Sequence, residues 1–123
     1  LGKVISHGIS GCDPDEMGIG PVPAAKKALL SCGKTIADMD IVEINEAFAP
    51  QVLSVMKCLG VSKDKVNVNG GAIALGHPLA ASGTRIILHA LLELKRRKKR
   101  YALVTACIGG GQGIALVLEN DDA

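Results

Sequence analysis

The stretch Asn67–Gly83, Asn-Val-Asn-Gly-Gly-Ala-Ile-Ala-Leu-Gly-His-Pro-Leu-Ala-Ala-Ser-Gly, constrains this chain more than any other. It leaves a short apolar segment, crosses a glycine-rich turn and sets one histidine, His77, immediately before Pro78. Proline is best placed in the first turn of a helix, where its missing N–H costs nothing. Beyond it, Leu79, Gly83, Ile86, Ile87, Ala90, Leu91 and Leu94 recur at helical spacing, which predicts a helix from Pro78 to about Lys98. His77 then stands at the mouth of that helix, where unpaired N–H groups make a positive end. That field favours a neutral imidazole, able to take a proton or to donate a hydrogen bond to an oxyanion. A histidine that merely caps its own helix is the simpler reading of such a position. Against it, Gly70, Gly71 and Gly76 on the approach let backbone or ligand come close, and a cap needs no such access.

Around this stretch, strand-like and helical patterns alternate. Apolar β-prone runs at Val4–Ser6, Ile41–Ile44, Val66–Val68, Tyr101–Ala106 and Ile114–Leu118 are separated by helical patterns over Ala24–Cys32, from Asn45 to Leu59, and over the Pro78 helix. The order β-α-β-α-β-α-β-β predicts an α/β domain. Its expected sheet is mixed, mostly parallel and five-stranded, with helices on both faces and the last strand added antiparallel through a glycine turn. With 123 residues this is one domain's worth of chain. One Phe, one Tyr and no Trp leave the core to small aliphatic residues, which suits helices lying close on a sheet.

Asn45, His77 and Cys107 each come directly after a predicted strand. In an open α/β sheet the carboxyl ends of parallel strands line one edge, and ligands bind there, so the three residues are expected to converge. A cysteine, a histidine and an amide are the parts of thiol chemistry with an oxyanion to stabilise. Each has a plainer reading. Cys107 is a small hydrophobe that fits a core. Asn45 fits a helix N-cap, with Glu46 as a first-turn acid, and Phe48 fits core or pocket wall. The glycines beyond Cys107 favour chemistry: Gly109, Gly110, Gly111 and Gly113 form a turn whose N–H groups could face a developing negative charge. A dinucleotide fingerprint is excluded because Ile114 stands where the third glycine belongs, and a phosphate loop because no Gly-Lys-Ser/Thr is present there. Cys12, Cys32 and Cys58 read as structural, the last two on helical apolar faces; His7 and His89 lack any glycine or proline context that marks a site.

Several classes are disfavoured outright. Six of the fourteen basic residues form the run Lys95–Arg100; the rest of the chain holds eight basic against twelve acidic residues, so it is no general nucleic-acid binder. The run itself fits a localisation or phosphate-binding patch, but no aromatics are interleaved for stacking, and its place at a helix C-terminus fits dipole compensation. The four cysteines have neither zinc spacing nor a disulfide-scaffold context, and no apolar run is long enough for a membrane span. The first residue is Leu1, and the chain is expected to begin partway through something larger.

Taken together, Asn45-Glu46-Ala47-Phe48, Gly70-Gly71-Ala72-x-Ala74-x-Gly76-His77-Pro78, Cys107-x-Gly109-Gly110-Gly111 and Met17-Gly18-Ile19-Gly20-Pro21 nearer the start resemble the signature blocks of the C-terminal half of thiolases. The match runs in order through nearly the whole chain, and its wording looks nearest to the acetyl-CoA acyltransferase type of mitochondrial fatty-acid breakdown. The resemblance implies a reversible Claisen reaction: a 3-ketoacyl-CoA and CoA give acetyl-CoA and a shortened acyl-CoA. It implies no cofactor beyond CoA as substrate, and a cysteine nucleophile in an N-terminal half. His77 would activate that thiol and offer its N–H to an oxyanion, and Asn45 would hold a water completing the same oxyanion hole. Cys107 would be a second, proton-exchanging thiol, and the Gly109 N–H would serve the other oxyanion hole. Met17 and Phe48, with Ala47, Gly76 and Gly110, would line the acyl and pantetheine channel. The implied partners are an N-terminal thiolase domain and further copies in a homodimer or homotetramer; the implied compartment is mitochondrial, with cytoplasmic or peroxisomal alternatives. No nucleophile block is present, so the chain is expected to be a C-terminal domain, incomplete by itself. Ala80 stands where the family pattern has glycine, with a methyl that could narrow the channel. Two rivals remain: a non-catalytic domain of this kind that binds acyl-CoA or a partner, and a basic interaction module built on Lys95–Arg100.

Overall fold

Alternating apolar runs become a sheet covered on both faces. A computed structural model describes residues 1–123 as β1 (Lys3–Gly11), α1 (Pro21–Ser31), β2 (Ile41–Ile44), α2 (Ala49–Leu59), the one-turn α3 (Ala72–Leu75), α4 (Ser82–Arg97), β3 (Tyr101–Ile108) and β4 (Gln112–Glu119). The sheet order is β1-β4-β3-β2. β2 pairs with β3 in parallel, and β4 pairs antiparallel with both β3 and β1.

Two features depart from the sequence expectation. The sheet has four strands, not five: Val66 makes one parallel bridge to Val42, and Asn67, at φ +46°, then turns the chain out of the sheet. Nor is the sheet mostly parallel by pairing. The tight turn Gly109–Gly111 lays β4 back along β3, and β4 takes the slot in which β1 and β3 would have met. Strands β1, β2 and β3 still run the same way, so the carboxyl ends of β2 and β3 share an edge as expected.

On one face, α1 and α2 cover Val42, Ile44, Leu103, Ala115 and Val117. On the other, α4 covers Ile41, Ala102, Val104 and Leu118 through Ile86, Ala90, Leu91 and Leu94. All four residues of β2 are buried, the pattern of a strand covered on both sides. The long helix begins at Ser82 rather than Pro78, because residues 78–81 form a turn in which the N–H groups of Ala81 and Ser82 both donate to the Pro78 carbonyl. Leu79 therefore leaves the apolar stripe and is 85% exposed, and Gly83 is exposed too. At the other end Lys98 closes α4 in a left-handed conformation. Helix α1 opens at Pro21 and takes both Pro21 and Pro23 into its first turn. Cys58 does not lie on the buried face of α2 but faces solvent; Cys32 is half-buried at the end of α1, and all four cysteines are free. No helix is long and apolar enough to cross a membrane.

The basic run is largely occupied within the chain. Arg96 and Arg97 both bind the buried Glu93 one turn back, Lys95 pairs with Asp122 at 2.6 Å and Arg100 with Glu119 at 2.8 Å. These contacts close the C-terminal end of α4 against the chain terminus, as expected of a compensated helix end rather than a free basic patch.

Small residues set the close approach of the layers. A Cβ on Gly113, at the start of β4, would drive into the backbone of Gly20 and Pro21, and one on Gly20 into Gln112. Backbone thus meets backbone where α1 begins, which seats the 3-10 segment Pro14–Ile19, and Met17 within it, above the end of β3. Gly113→Ala is expected to cost about 3 kcal/mol by overpacking, lowering the thermal midpoint by about 10 °C. Gly83→Ala, where a Cβ meets nothing within 4 Å, is the matched control and should leave the midpoint nearly unmoved.

Candidate active site

The edge formed by the carboxyl ends of β2 and β3 carries a cavity of about 420 Å³. Asn45, the residue after β2, and Cys107, near the end of β3, lie on its wall together with His77 and Gly109. Met17, Ala47, Phe48, Leu79 and Ile108 supply much of the remaining wall, and Ser82, Gly83 and Ala106 complete it. Of the sequence candidates, Asn45, His77, Cys107, Gly109, Met17, Ala47 and Phe48 are brought together here. Gly76 and Gly110 are not on the wall: Gly76, at φ +99°, ends α3 and delivers His77, and Gly110, at φ +87°, makes the β3–β4 turn. Ala80 is exposed in the turn before α4 and also lies off the wall.

The segment leading to His77 is anchored twice to the end of β2. Asn67 extends the strand with its side chain: Oδ1 accepts from the Ile44 N–H, and Nδ2 donates to the Ile44 carbonyl, both at 2.9 Å. Glu46 is not a first-turn helix acid; α2 starts three residues later. Its carboxylate instead accepts from Asn67 Nδ2 and from the Ile73 N–H, and it fills the space that a Cβ on Gly71 would need. Asn45 likewise is no N-cap. The N-terminus of α2 is closed by Gln51 Oε1, which accepts from the N–H groups of Ala47 and Phe48.

His77 is held at both ring nitrogens. Nδ1 lies 2.5 Å from Ser82 Oγ, and Nε2 lies 3.4 Å from Nδ2 of the buried Asn45. Ser82 Oγ donates in turn to the Pro78 carbonyl, so it accepts from a proton on Nδ1. With the proton on Nδ1, the lone pair falls on Nε2, the nitrogen that faces Asn45 Nδ2 and the cavity. Ser82 has a readable signal, a polar residue five positions after His77 opening an apolar helix, yet sequence reasoning passed over it, as it did Leu79, Gly83, Ala106 and Ile108.

Cys107 is half-buried, and burial pushes its thiol above the ordinary value, with nearby Cys12 adding to the rise. A thiol kept protonated near neutral pH is suited to giving up a proton late and taking it back readily. A Cβ on Gly109 would meet nothing within 4 Å, so the backbone there is open to a ligand. An imidazole with its lone pair on Nε2, a thiol that burial keeps protonated and bare backbone on one apolar-walled cavity can move protons around a bound carbonyl group.

Behind the cavity lies a polar seam between β2 and α4. Glu43, two residues before Asn45, is 1% exposed, and burial raises its carboxyl to about 7. In the unfolded chain it titrates near its ordinary value of 4.5, so between these values the folded state holds the extra proton and stability falls as pH rises. His89, held below its ordinary value by burial and by Arg85, works in the opposite sense and loses stability as pH falls. Comparison with Glu43→Gln isolates the first effect: from pH 5 to pH 8 the stability difference should move in favour of the variant by about 3 kcal/mol. A difference independent of pH, measured by urea unfolding, would contradict this.

Comparison with known proteins gives the chain's relatives. The family described as "Thiolase, C-terminal domain" matches residues 1–120. The mitochondrial 3-ketoacyl-CoA thiolase of Bos taurus is 59% identical over 120 residues, which cover 98% of this chain and 30% of that protein. The acetyl-CoA acetyltransferase of Escherichia coli is 55% identical over 119 residues, again 30% of its length. Among solved structures, human mitochondrial 3-ketoacyl-CoA thiolase in complex with CoA superposes with a TM-score of 0.95 at 55% identity, over 97% of this chain and 30% of that one. The Bacillus anthracis acetyl-CoA acetyltransferase gives 0.92 at 45% identity, with the same coverage. The chain thus spans about a third of the length of the relatives it matches.

Proposed function

The chain belongs to the thiolase family, and from that footing we propose that it supplies the C-terminal half of an acyl-CoA acyltransferase, which cleaves 3-ketoacyl-CoA with CoA or runs the Claisen condensation in reverse. The observation that carries this reading is the convergence of Asn45, His77, Cys107 and Gly109 on one cavity.

In the thiolytic direction, Nε2 of His77 takes the proton of a cysteine thiol supplied by an N-terminal thiolase domain. The resulting thiolate attacks the 3-keto carbon of the substrate. The bond between C2 and C3 breaks; C3 stays on the enzyme as an acyl thioester, and C2 leaves with the electron pair as the enolate of acetyl-CoA. Cys107 protonates C2 and becomes a thiolate. Incoming CoA gives its thiol proton back to Cys107 and attacks the acyl thioester, releasing shortened acyl-CoA and the nucleophile. Once protonated, Nε2 of His77 donates to an oxyanion alongside a water held by Asn45, and the N–H of Gly109 serves the second oxyanion. Met17, Ala47 and Phe48 guide the acyl and pantetheine chain, with Gly76 and Gly110 shaping the backbone on either side. No cofactor enters these steps; CoA and acyl-CoA are substrates.

In this reading the working enzyme also needs the N-terminal domain and assembles as a homodimer or homotetramer, and the mammalian relatives support a mitochondrial setting. The test is thiolysis of acetoacetyl-CoA by the chain co-expressed with a thiolase N-terminal half. Turnover by the pair supports the reading. Tight acyl-CoA binding with no turnover by any compatible pairing would favour the non-catalytic alternative.

A further inference from the structure

The His77 ring bridges a gap between two separate elements. Asn45 at the end of β2 touches Nε2, and Ser82 at the start of α4 touches Nδ1. Whatever fixes the distance between β2 and α4 therefore fixes the clamp on the ring. One register behind it on β2, on the same face of the strand, is Glu43. One turn behind it on α4, on the same stripe as Ser82, are Arg85 and then His89.

These groups meet in a buried seam. Glu43 Oε1 lies 3.2 Å from His89 Nδ1, off the line of a hydrogen bond, and neither carboxylate oxygen has an aligned donor. Nε and Nη1 of Arg85 are buried without a partner, and so is Oδ1 of Asn45. The unpartnered acceptors lie on β2 and its end and the unpartnered donors on α4, with no direct ion pair between Arg85 and Glu43. The Arg85 charge favours ionised Glu43, and the carboxylates of Glu46 and Glu93 oppose it. On the outer side, Asn69 Nδ2 lies 2.9 Å from His89 Nε2 and closes the seam from the loop that precedes α3. An apolar strand has no structural need for a carboxylate here. Buried charges out of direct contact add little to stability, and in some proteins such groups are kept because they fix register.

We propose that Glu43 and Arg85 are positioning residues: the Glu43–His89 contact, with the longer-range attraction of Arg85 for the same carboxylate, ties β2 to α4 and sets the spacing at which Asn45 and Ser82 grip the two nitrogens of His77. Neither residue touches the cavity wall. Their work is to keep one tautomer of the ring and to point its lone pair at the reacting thiol. The consequence for turnover rests on the acyl-transfer reading above: with the clamp loosened, kcat should fall by about 10- to 100-fold at little change in KM, as expected for a misplaced catalytic base.

The clamp itself is testable without substrate. The chain is labelled with 15N-histidine, and the His77 ring nitrogens are read by NMR at pH 8, with far-UV circular dichroism to check the fold. In the wild-type chain Nδ1 and Nε2 should give two well-separated signals, one protonated and one with a free lone pair. Glu43→Gln and Arg85→Gln should each pull the pair together as the tautomers average. The double variant should move them no further than either single change, because both break one tie. Lys57→Gln, exposed on α2 and away from the seam, should leave His77 unmoved. Should either single variant fail to fold, the double variant, which removes both charges, carries the test with the same averaged signals expected. His77 signals that stay unmoved in folded variants, or shifts that sum in the double, would overturn the inference. Because no turnover is involved, such a failure leaves the acyl-transfer reading standing, and an inactive enzyme leaves the clamp standing.

Discussion

Replacing His77 with alanine is expected to reduce thiolysis by the chain and its N-terminal partner by about 10³-fold, near 4 kcal/mol of transition-state stabilisation. The size reflects two jobs done by one nitrogen. In the proposed reaction Nε2 accepts the nucleophile's proton and, as an N–H, then stabilises the oxyanion; alanine removes both. The fold should not register the change. His77 is exposed at the rim of the cavity, outside both hydrophobic clusters, and its backbone is carried by the Gly76 turn. Thiolysis rates and a thermal melt on the same preparation separate the two outcomes. Lost activity with an unchanged melt is the result expected, whereas a histidine that merely capped the chain would give a lower melt and near-normal turnover.

Cys107→Ser should be nearly as damaging, lowering kcat by about 10² to 10⁴-fold with KM little changed. Serine has the shape of cysteine and fills the same place in β3. Its hydroxyl is far too weak an acid to protonate the acetyl-CoA enolate and to recover that proton from CoA. The half-buried thiol, already pushed upward by burial, still exchanges its proton much more readily. If Cys107 were only a small core hydrophobe, the polar hydroxyl would cost stability and spare the reaction. Measuring kcat, KM and the urea midpoint together distinguishes the two roles.

The parts of this site that were legible in the sequence are those carried by strand ends. Ile41–Ile44 and Tyr101–Ala106 are strongly β-prone and point the same way in the sheet, so Asn45 and Cys107 had to emerge near one another. His77 joined them through its glycine-rich approach. The misread parts depend on tertiary partners. Pro78 fits the first turn of a helix, but its carbonyl is used twice by the turn at 78–81, and α4 starts at Ser82. Val66–Val68 has strand composition, yet it finds a single bridge before Asn67 spends its side chain on Ile44. Glu46 and Asn45 look like capping residues by position, and each is instead recruited by a distant segment, at Ile73 and His77. The antiparallel return of the last strand was legible in its glycine turn, but local pattern cannot say that β4 slots between β1 and β3 and so makes most of the pairing antiparallel. The seam had a signal that went unused: a carboxylate, Glu43, inside an apolar strand, and Ser82, Arg85, His89 and Glu93 along one stripe of α4.

The central claim is that this chain holds one half of a reaction whose nucleophile lies on another domain. Its most direct test is the rate of acetoacetyl-CoA thiolysis by the purified chain alone, set beside the chain co-expressed with a thiolase N-terminal half. Turnover by the pair, none by the chain alone, and loss of the pair's activity in His77→Ala is the predicted result. Turnover by the lone chain that persists after contaminating thiolase has been removed would contradict the account and make Cys107 itself the nucleophile.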